Sequence, residues 1–217
     1  MTHRRTPLGF VRTRRLALGT LGALALLPIT SAHGEASALT PTPSQTEGPF
    51  YPRTLPADRD ADLTQVAGRA AKAKGTPLYF AGRALARDGR PASGATIELW
   101  QCDAFGRYHH AGDEGVPRDD NFQGYGVSIT SADGRYAFKT IRPVPYSGRP
   151  AHLHIRVRPA TGPELTTQIY IAGDAVAGDP VLAGSPKGTL ALLSMALGPA
   201  SGKESDALEG TFDFVLR

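Results

Sequence analysis

The chain reads as an all-β protein: an antiparallel β-sandwich with long loops, preceded by a cleaved signal peptide. Three observations carry this. Beyond residue 75 the sequence falls into short runs of alternating apolar residues, closed by turn signals such as Asp88-Gly89 and Asp133-Gly134. Glycine (25) and proline (18) punctuate the 217 residues too often for long helices. No sustained helical periodicity follows the first thirty residues. Short strands of this kind each bury one face, and two sheets packed together satisfy them.

Residues 1–32 form the first unit. Arg14-Arg15 precedes an apolar run from Leu16 to Ile29, and Thr30, Ser31 and Ala32 follow. A charged start, an apolar stretch and a small-residue exit make an export signal. The run falls short of the ~20 residues that span a bilayer. Thr13-Arg14-Arg15-Leu16-Ala17-Leu18 resembles a twin-arginine signal, a route for folded proteins, so a periplasmic or secreted protein is expected. The other pair, Arg4-Arg5, is set apart from the apolar run by Pro7 and Gly9. Residues 1–32 hold five arginines and no acid, which leaves 19 basic and 20 acidic residues in the rest, a net charge of −1. The basic balance therefore belongs to the signal. It makes no case for nucleic acid, nor for a membrane surface once the signal is removed.

Residues 33–75 form an N-terminal segment and loop. Glu35 to Pro52 is rich in Pro, Ser and Thr and should lie extended over the surface, while 57–75 should hold a loop with a short helix. Residues 76–217 form the sandwich. Strands are expected at Leu78–Leu85, Ala95–Cys102, Gly124–Thr130, Arg135–Ile141, His152–Arg158, Leu165–Ile171 and Phe212–Leu216. Thr189–Leu197 fits helix or strand by periodicity. The roughly 185 residues after the signal suffice for one domain with a real core. Cys102 is the only cysteine, so no intrachain disulfide forms. It ends an apolar strand and reads as a packed thiol rather than a nucleophile.

Two of the six histidines, His152 and His154, stand one residue apart within the alternating run Ala151, Leu153, Ile155, Val157. On a strand, positions i and i+2 share a face, so the two imidazoles lie side by side in a metal-clamping arrangement. Tyr108 and Tyr146 each follow a strand-like segment. A phenolate is a hard anionic donor that ordinarily forms near pH 10, and only a strongly Lewis-acidic cation holds two of them near neutrality. Ferric iron fits such a set. Zinc favours Cys, His and carboxylate, and a ferrous oxygenase wants two His and one carboxylate. The only close His-x-Glu element, His33-Gly34-Glu35, sits at the signal boundary. Taken singly, a tyrosine in a sandwich is a core aromatic with its hydroxyl tied to backbone. His109 and His110 compete for the metal and read as exposed or lying behind the site. Spacing by itself reaches a candidate metal site and does not assemble four ligands.

Longer motifs carry a resemblance. Leu99-Trp100-Gln101-Cys102-Asp103-Ala104-Phe105-Gly106-Arg107-Tyr108 and Thr140-Ile141-Arg142-Pro143-Val144-Pro145-Tyr146 resemble the two tyrosine-ligand motifs of the intradiol ring-cleavage dioxygenases. Arg149-Pro150-Ala151-His152-Leu153-His154 resembles that family's histidine motif. Gln45-Thr46-Glu47-Gly48-Pro49-Phe50-Tyr51-Pro52 resembles the segment before its sandwich, and Thr167-Gln168-Ile169-Tyr170 the strand after the histidines. The matches keep family order over roughly residues 43–175.

The resemblance implies a Fe(3+) site with Tyr108 and His152 equatorial, Tyr146 and His154 axial, and a solvent hydroxide in the fifth position. Arg149 would stabilise negative charge developing on the ring, Tyr146 would take a proton from the incoming catechol, and Gln168 would stand near Arg149. The implied reaction inserts both atoms of O2 into a catechol, cleaves between the hydroxyl-bearing carbons and yields a cis,cis-muconate-type diacid. Enzymes of this family often assemble, so a homo-oligomer stays open.

The chain departs from the family pattern in three ways. Only Ser147 and Gly148 separate Tyr146 from Arg149, where protocatechuate and catechol enzymes carry a longer insertion. A shorter loop implies a wider mouth and a looser range of catechols. The long N-terminal helical segment of the catechol enzymes is not seen, and no residue demands a substrate carboxylate. A rival resemblance exists: Gly82-Arg83-Ala84-Leu85, Asp88-Gly89-Arg90-Pro91 and Asp133-Gly134-Arg135-Tyr136 also look like transthyretin-like and carboxypeptidase-regulatory-like binding modules. Those have no reason to keep Tyr108, Tyr146, Arg149, His152 and His154 together.

Overall fold

The computed structural model describes residues 38–113, 115 and 117–217. The export signal and His33-Gly34-Glu35 lie outside the described residues. Ten strands form among those described, in two five-stranded sheets. One sheet contains β1 (Pro77–Leu85), β4 (Arg135–Ile141), β8 (Leu197–Pro199), β9 (Leu208–Thr211) and β10 (Phe214–Val215). The other runs β3 (Tyr125–Ile129), β2 (Thr96–Trp100), β5 (His152–Arg158), β6 (Leu165–Ile171), β7 (Ser194–Met195) in spatial order. The sandwich is therefore all-β as expected, and β4, β5 and β6 have the bounds that the alternation predicts.

The sheets are mixed rather than purely antiparallel. β9 and β10 run parallel to β1, and β7 runs parallel to β6. Local alternation does not report strand direction, because that is decided by where the chain returns. The last strand was expected as one run over Phe212–Leu216; only β10 forms within it, and β9, just before it, was not expected, the two being separated by a break at Phe212-Asp213. Phe212 N donates to Ala81 O (3.0 Å), and the Asp213 carboxylate takes over the ladder by accepting from Arg83 N (2.8 Å). A Cβ on Gly82 would lie 1.8 Å from Phe212 O, so the break requires glycine there.

Thr189–Leu197 resolves into both alternatives: a single turn of helix α2 (Thr189–Leu192), then β7, with β8 opening at Leu197. A further turn, α1 (Pro180–Ala183), begins at Asp179, whose carboxylate caps Val181 N, with proline at its first position. No helix forms over 57–75, where a short one was expected. Aspartates satisfy the backbone there instead: Asp60 accepts from Asp62 N (2.8 Å), Asp62 from Thr64 N (3.0 Å) and Asp58 from Ala67 N (2.5 Å). Such side-chain turns compete with helix.

Leu153, Ile155 and Val157 of β5 join Leu78, Phe80, Phe138 and Phe214 in the buried core between the sheets. His152, His154 and Arg156 point to the opposite face, beside Trp100, Gln168 and Tyr170 by register. That face is covered by the segment from Thr42 to Tyr51, here termed the strap. Thr42 N donates to Val215 O (2.9 Å), Gln45 N to Thr166 O (2.9 Å), and Thr167 Oγ1 to Pro43 O (2.7 Å). The strap runs extended over the surface as expected, and its hydrogen bonds to Val215, Thr166 and Thr167 fix it as a roof on the polar face of β5 and β6.

Candidate active site

The two imidazoles are held by strand pairing. His154 lies opposite Trp100 of β2 and stacks on its indole, with ring centroids 5.0 Å apart and 16° between planes. His152 lies opposite Tyr170 of β6. His152 Nδ1 is 2.7 Å from Pro150 O, which can only accept, so the ring proton sits on Nδ1 and Nε2 carries a lone pair. Around that lone pair stand His154 Nε2 (3.1 Å), Tyr146 Oη (3.3 Å) and Arg149 Nη1 (3.2 Å).

Tyr108 is placed by the loop after β2. Asp103 accepts from Phe105 N (2.8 Å) and Arg107 N (3.0 Å), and Gly106 takes a positive φ of 74° inside that turn. Asp113 then accepts from Tyr108 N (2.8 Å) and Arg107 Nη1 (3.1 Å). The Tyr108 ring packs 5.0 Å from Tyr146 and 5.9 Å from His154. Tyr146 and Arg149 are locked together by a two-residue hairpin. Tyr146 N donates to Arg149 O (3.2 Å), Arg149 N donates to Tyr146 O (2.7 Å), and both Ser147 (φ 44°) and Gly148 (φ 75°) are left-handed. That is the mirror-image turn that matches strand twist. The short spacing read from the sequence is thus a rigid turn.

The strap supplies the roof. Phe50 stacks on Tyr108 at 4.7 Å and meets Tyr146 edge-on at 6.2 Å. Gly48, at φ 77°, passes over His154, where an added Cβ would come within 3.2 Å of Cε1. Below Trp100 lies a charged cluster. Glu98, with only 2% of its side chain exposed, accepts from Tyr51 Oη (2.8 Å) and is paired with Arg158. Arg156 is paired with Glu47 and lies 3.9 Å from Glu98. Its guanidinium sits over the Tyr51 ring at 4.2 Å. The cluster pins the strap to the sheet.

Burial sets the protonation states. It pushes His152 down to about 4, helped by the Arg149 charge, and holds His154 well below its usual value, with His152 and Arg149 adding to the effect. Both imidazoles are therefore neutral, as metal ligands must be. Burial raises Tyr108 well above its usual value, and the neighbouring Tyr146 adds to this. Burial also raises Tyr146, partly offset by Arg149. Two phenolates would form here only beside a cation that inverts this order.

The donors fit one. Tyr108 Oη, beside the two converging Nε2 atoms, is buried with no hydrogen-bond partner among the described residues. Buried polar atoms are seldom left so, and each such case asks for an explanation. Two imidazole nitrogens that each reach within about 2.1 Å of one cation must lie within about 4.2 Å of each other, and the two Nε2 atoms, 3.1 Å apart, can share one. Among the described residues no three of His, Cys, Asp or Glu converge, so tyrosine oxygens would have to complete such a site.

Other residues fall as follows. His109 and His110 are half-buried rather than exposed. His109 lies edge-on to Phe122 with Nε2 3.9 Å from Asp103, and His110 Nδ1 accepts from Gly112 N (2.9 Å). Cys102 is buried and pushed up to about 12 by desolvation, which suits a packed thiol. Gln168 is fully buried beside the arginine, accepting from Arg149 Nη2 (2.8 Å) and donating to Thr46 O (2.9 Å). Sequence reasoning missed Asp179, Tyr170 and Phe50. Arg149 donates through Nε and Nη2 to both oxygens of Asp179 (3.1 and 2.9 Å), and through Nη2 to Tyr170 Oη (3.2 Å). Asp179 carried no signal in the sequence, since a contact across 30 residues leaves no local pattern.

Comparison with known proteins agrees with this constellation. A family model described as dioxygenase matches residues 46–217, which holds every residue just described except Gln45 and the start of the strap. The chain belongs to the intradiol ring-cleavage dioxygenase family. It is similar to the protocatechuate 3,4-dioxygenase beta chain of Burkholderia cepacia, at 36% identity over 73% of this chain and 72% of that one. It is 34% identical to catechol 1,2-dioxygenase 1 of Acinetobacter lwoffii over 48% of this chain, and spans only 38% of that enzyme's length. Among solved structures, the dioxygenase domain of a dioxygenase–carbohydrate-binding fusion from Streptomyces sp. SirexAA-E superposes with a TM-score of 0.61 at 30% identity, covering 82% of this chain and 98% of that domain. Family membership sets aside the rival reading as a non-catalytic module.

Proposed function

We propose that the protein is a ferric intradiol dioxygenase that takes a catechol-type aromatic and O2 and releases a cis,cis-muconate-type diacid. The carbon–carbon bond between the two hydroxyl-bearing carbons breaks, and each of those carbons gains one oxygen of O2. The observation that carries the reading is the convergence of His152, His154 and Tyr146 within 3.3 Å, with the partnerless Tyr108 hydroxyl packed beside them.

Tyr108, Tyr146, His152 and His154 would hold the metal. Ferric iron bound there supplies Lewis acidity and a template for both catechol oxygens. The chain's own groups do the rest. Starting as the phenolate, Tyr146 would take a proton from a catechol hydroxyl at Oη, a transfer that burial assists by favouring its protonated form. Arg149 Nη1 faces the same centre and is placed to offset negative charge on the ring. Pro150 O fixes the tautomer of His152. Phe50, Trp100 and the strap keep water from the imidazole side.

The test is the visible spectrum of aerobically iron-loaded protein, before and after anaerobic addition of catechol. A tyrosinate-to-iron band that shifts on catechol binding is expected. A colourless protein without bound iron, unchanged by catechol, would falsify the reading. The two-residue turn at Ser147-Gly148 adds an expectation about breadth. Catechol and catechols with bulky para substituents should turn over at similar rates, and strict rejection of the bulky ones would argue against a wide mouth.

Export rests on Arg14-Arg15 and the Leu16–Ile29 run. Replacing both arginines by lysine should hold the protein in the cytoplasm on cell fractionation, whereas unchanged export would point to the general secretory route.

A further inference from the structure

Resting on the ring-cleavage reading, we propose that Asp179 is a positioning residue that fixes the direction in which Arg149 presents its guanidinium to the substrate. The Asp179 side chain is wholly buried, and that of Arg149 is 14% exposed. Both Asp179 oxygens are engaged, one by Arg149 Nε (3.1 Å) and the other by Nη2 (2.9 Å). A two-point fork between carboxylate and guanidinium fixes orientation as well as distance. Nη2 is engaged again by Gln168 Oε1 (2.8 Å) and Tyr170 Oη (3.2 Å). Nη1 is thereby the nitrogen turned towards the imidazole pair, 3.2 Å from His152 Nε2.

Asp179 itself is held fast. Its Oδ1 accepts from Val181 N (3.0 Å) at the start of α1, and Pro180 stiffens the following residue. A buried ion pair of this kind is weak evidence of a role in stability, because apolar replacements of the same shape are often no less stable. Its geometry is what distinguishes it: three of the four groups that meet the guanidinium hold its far edge, leaving one edge for chemistry. The fork leaves Nη1 as the guanidinium nitrogen free to face the substrate, with its charge retained. Lysine could meet Asp179 but could not span Asp179, Gln168 and the imidazole edge together.

The experiment uses the full iron-loaded protein and catechol. Asp179→Asn keeps the shape and an acceptor for Val181 N while removing the charged fork. Displacing a catalytic group by about 1 Å costs on the order of 100-fold, so kcat should fall about that much while the anaerobic catechol Kd, read from the visible band, stays within about threefold. In an Arg149→Ala background the same change should cause no further loss. In metal-free protein, the Arg149 Nε–H nitrogen-15 signal, protected from exchange in the wild type, should lose that protection. Arg149→Lys leaves the α1 cap intact and should lose kcat to a similar extent, which keeps the idea testable if Asp179→Asn folds poorly. Wild-type-like kcat in either variant, or an equal loss in the Arg149→Ala background, overturns the inference alone. A wild-type protein that ignores catechol sinks the ring-cleavage reading and this inference with it.

Discussion

His154→Ala is expected to abolish iron retention and ring cleavage. The imidazole is buried, stacked on Trp100 and within 3.1 Å of His152 Nε2, so its loss removes half of the converging nitrogen pair. Changing a group that merely orients a ligand costs about 10–100-fold in metal affinity, so removing a donor outright should exceed about 100-fold. Iron per chain after aerobic loading and the visible band both read this, and a melting curve separates metal loss from unfolding. His109→Ala and His110→Ala serve as controls, since one ring faces Phe122 and the other accepts from Gly112 N. Both should keep full iron. Full colour in His154→Ala, or its loss in either control, would redraw the ligand set.

Glu98→Ala should be the most destabilising change outside the proposed metal site. Its carboxylate is nearly sealed from water and is shared by Tyr51, Arg156 and Arg158. Arg156 keeps its pair with Glu47, so the substitution removes the Arg158 pair and the acceptor for Tyr51 Oη and leaves Arg158 without its buried partner. Breaking a buried pair from one side costs about 3–5 kcal/mol, and solvent around the more exposed Arg158 trims this to the lower end. At about 2–4 °C per kcal/mol for a domain of this size, the melting temperature should fall roughly 6–12 °C. Glu98→Gln, which still accepts from Tyr51, should lose less. A melting temperature unchanged by Glu98→Ala would mean the cluster is not what pins the strap.

Legibility followed the range of the interactions. Alternation located β4, β5 and β6 with their observed bounds because one face of each is buried and the period of two is local. β9 stayed hidden because Leu208-Glu209-Gly210-Thr211 is polar and glycine-bearing, and it is a strand only through pairing with β1 and β8. The short helix expected over 57–75 lost to aspartate turns, a competition between side chain and backbone that composition does not rank.

The site divides the same way. His152 and His154 were legible as a pair because strand geometry puts i and i+2 on one face, and the motifs around Tyr108, Tyr146 and Arg149 marked the family. The sequence alone thus determined the fold class, the family and the residue types that can hold a metal. Tertiary structure decided their company: that Trp100 backs His154, that the strap roofs the site and that Asp179 faces Arg149. Strand periodicity is imposed within a few residues by backbone stereochemistry. Contacts spanning 30 to more than 100 residues are set by how the sheets pack, and packing leaves no signature in the local order of side chains.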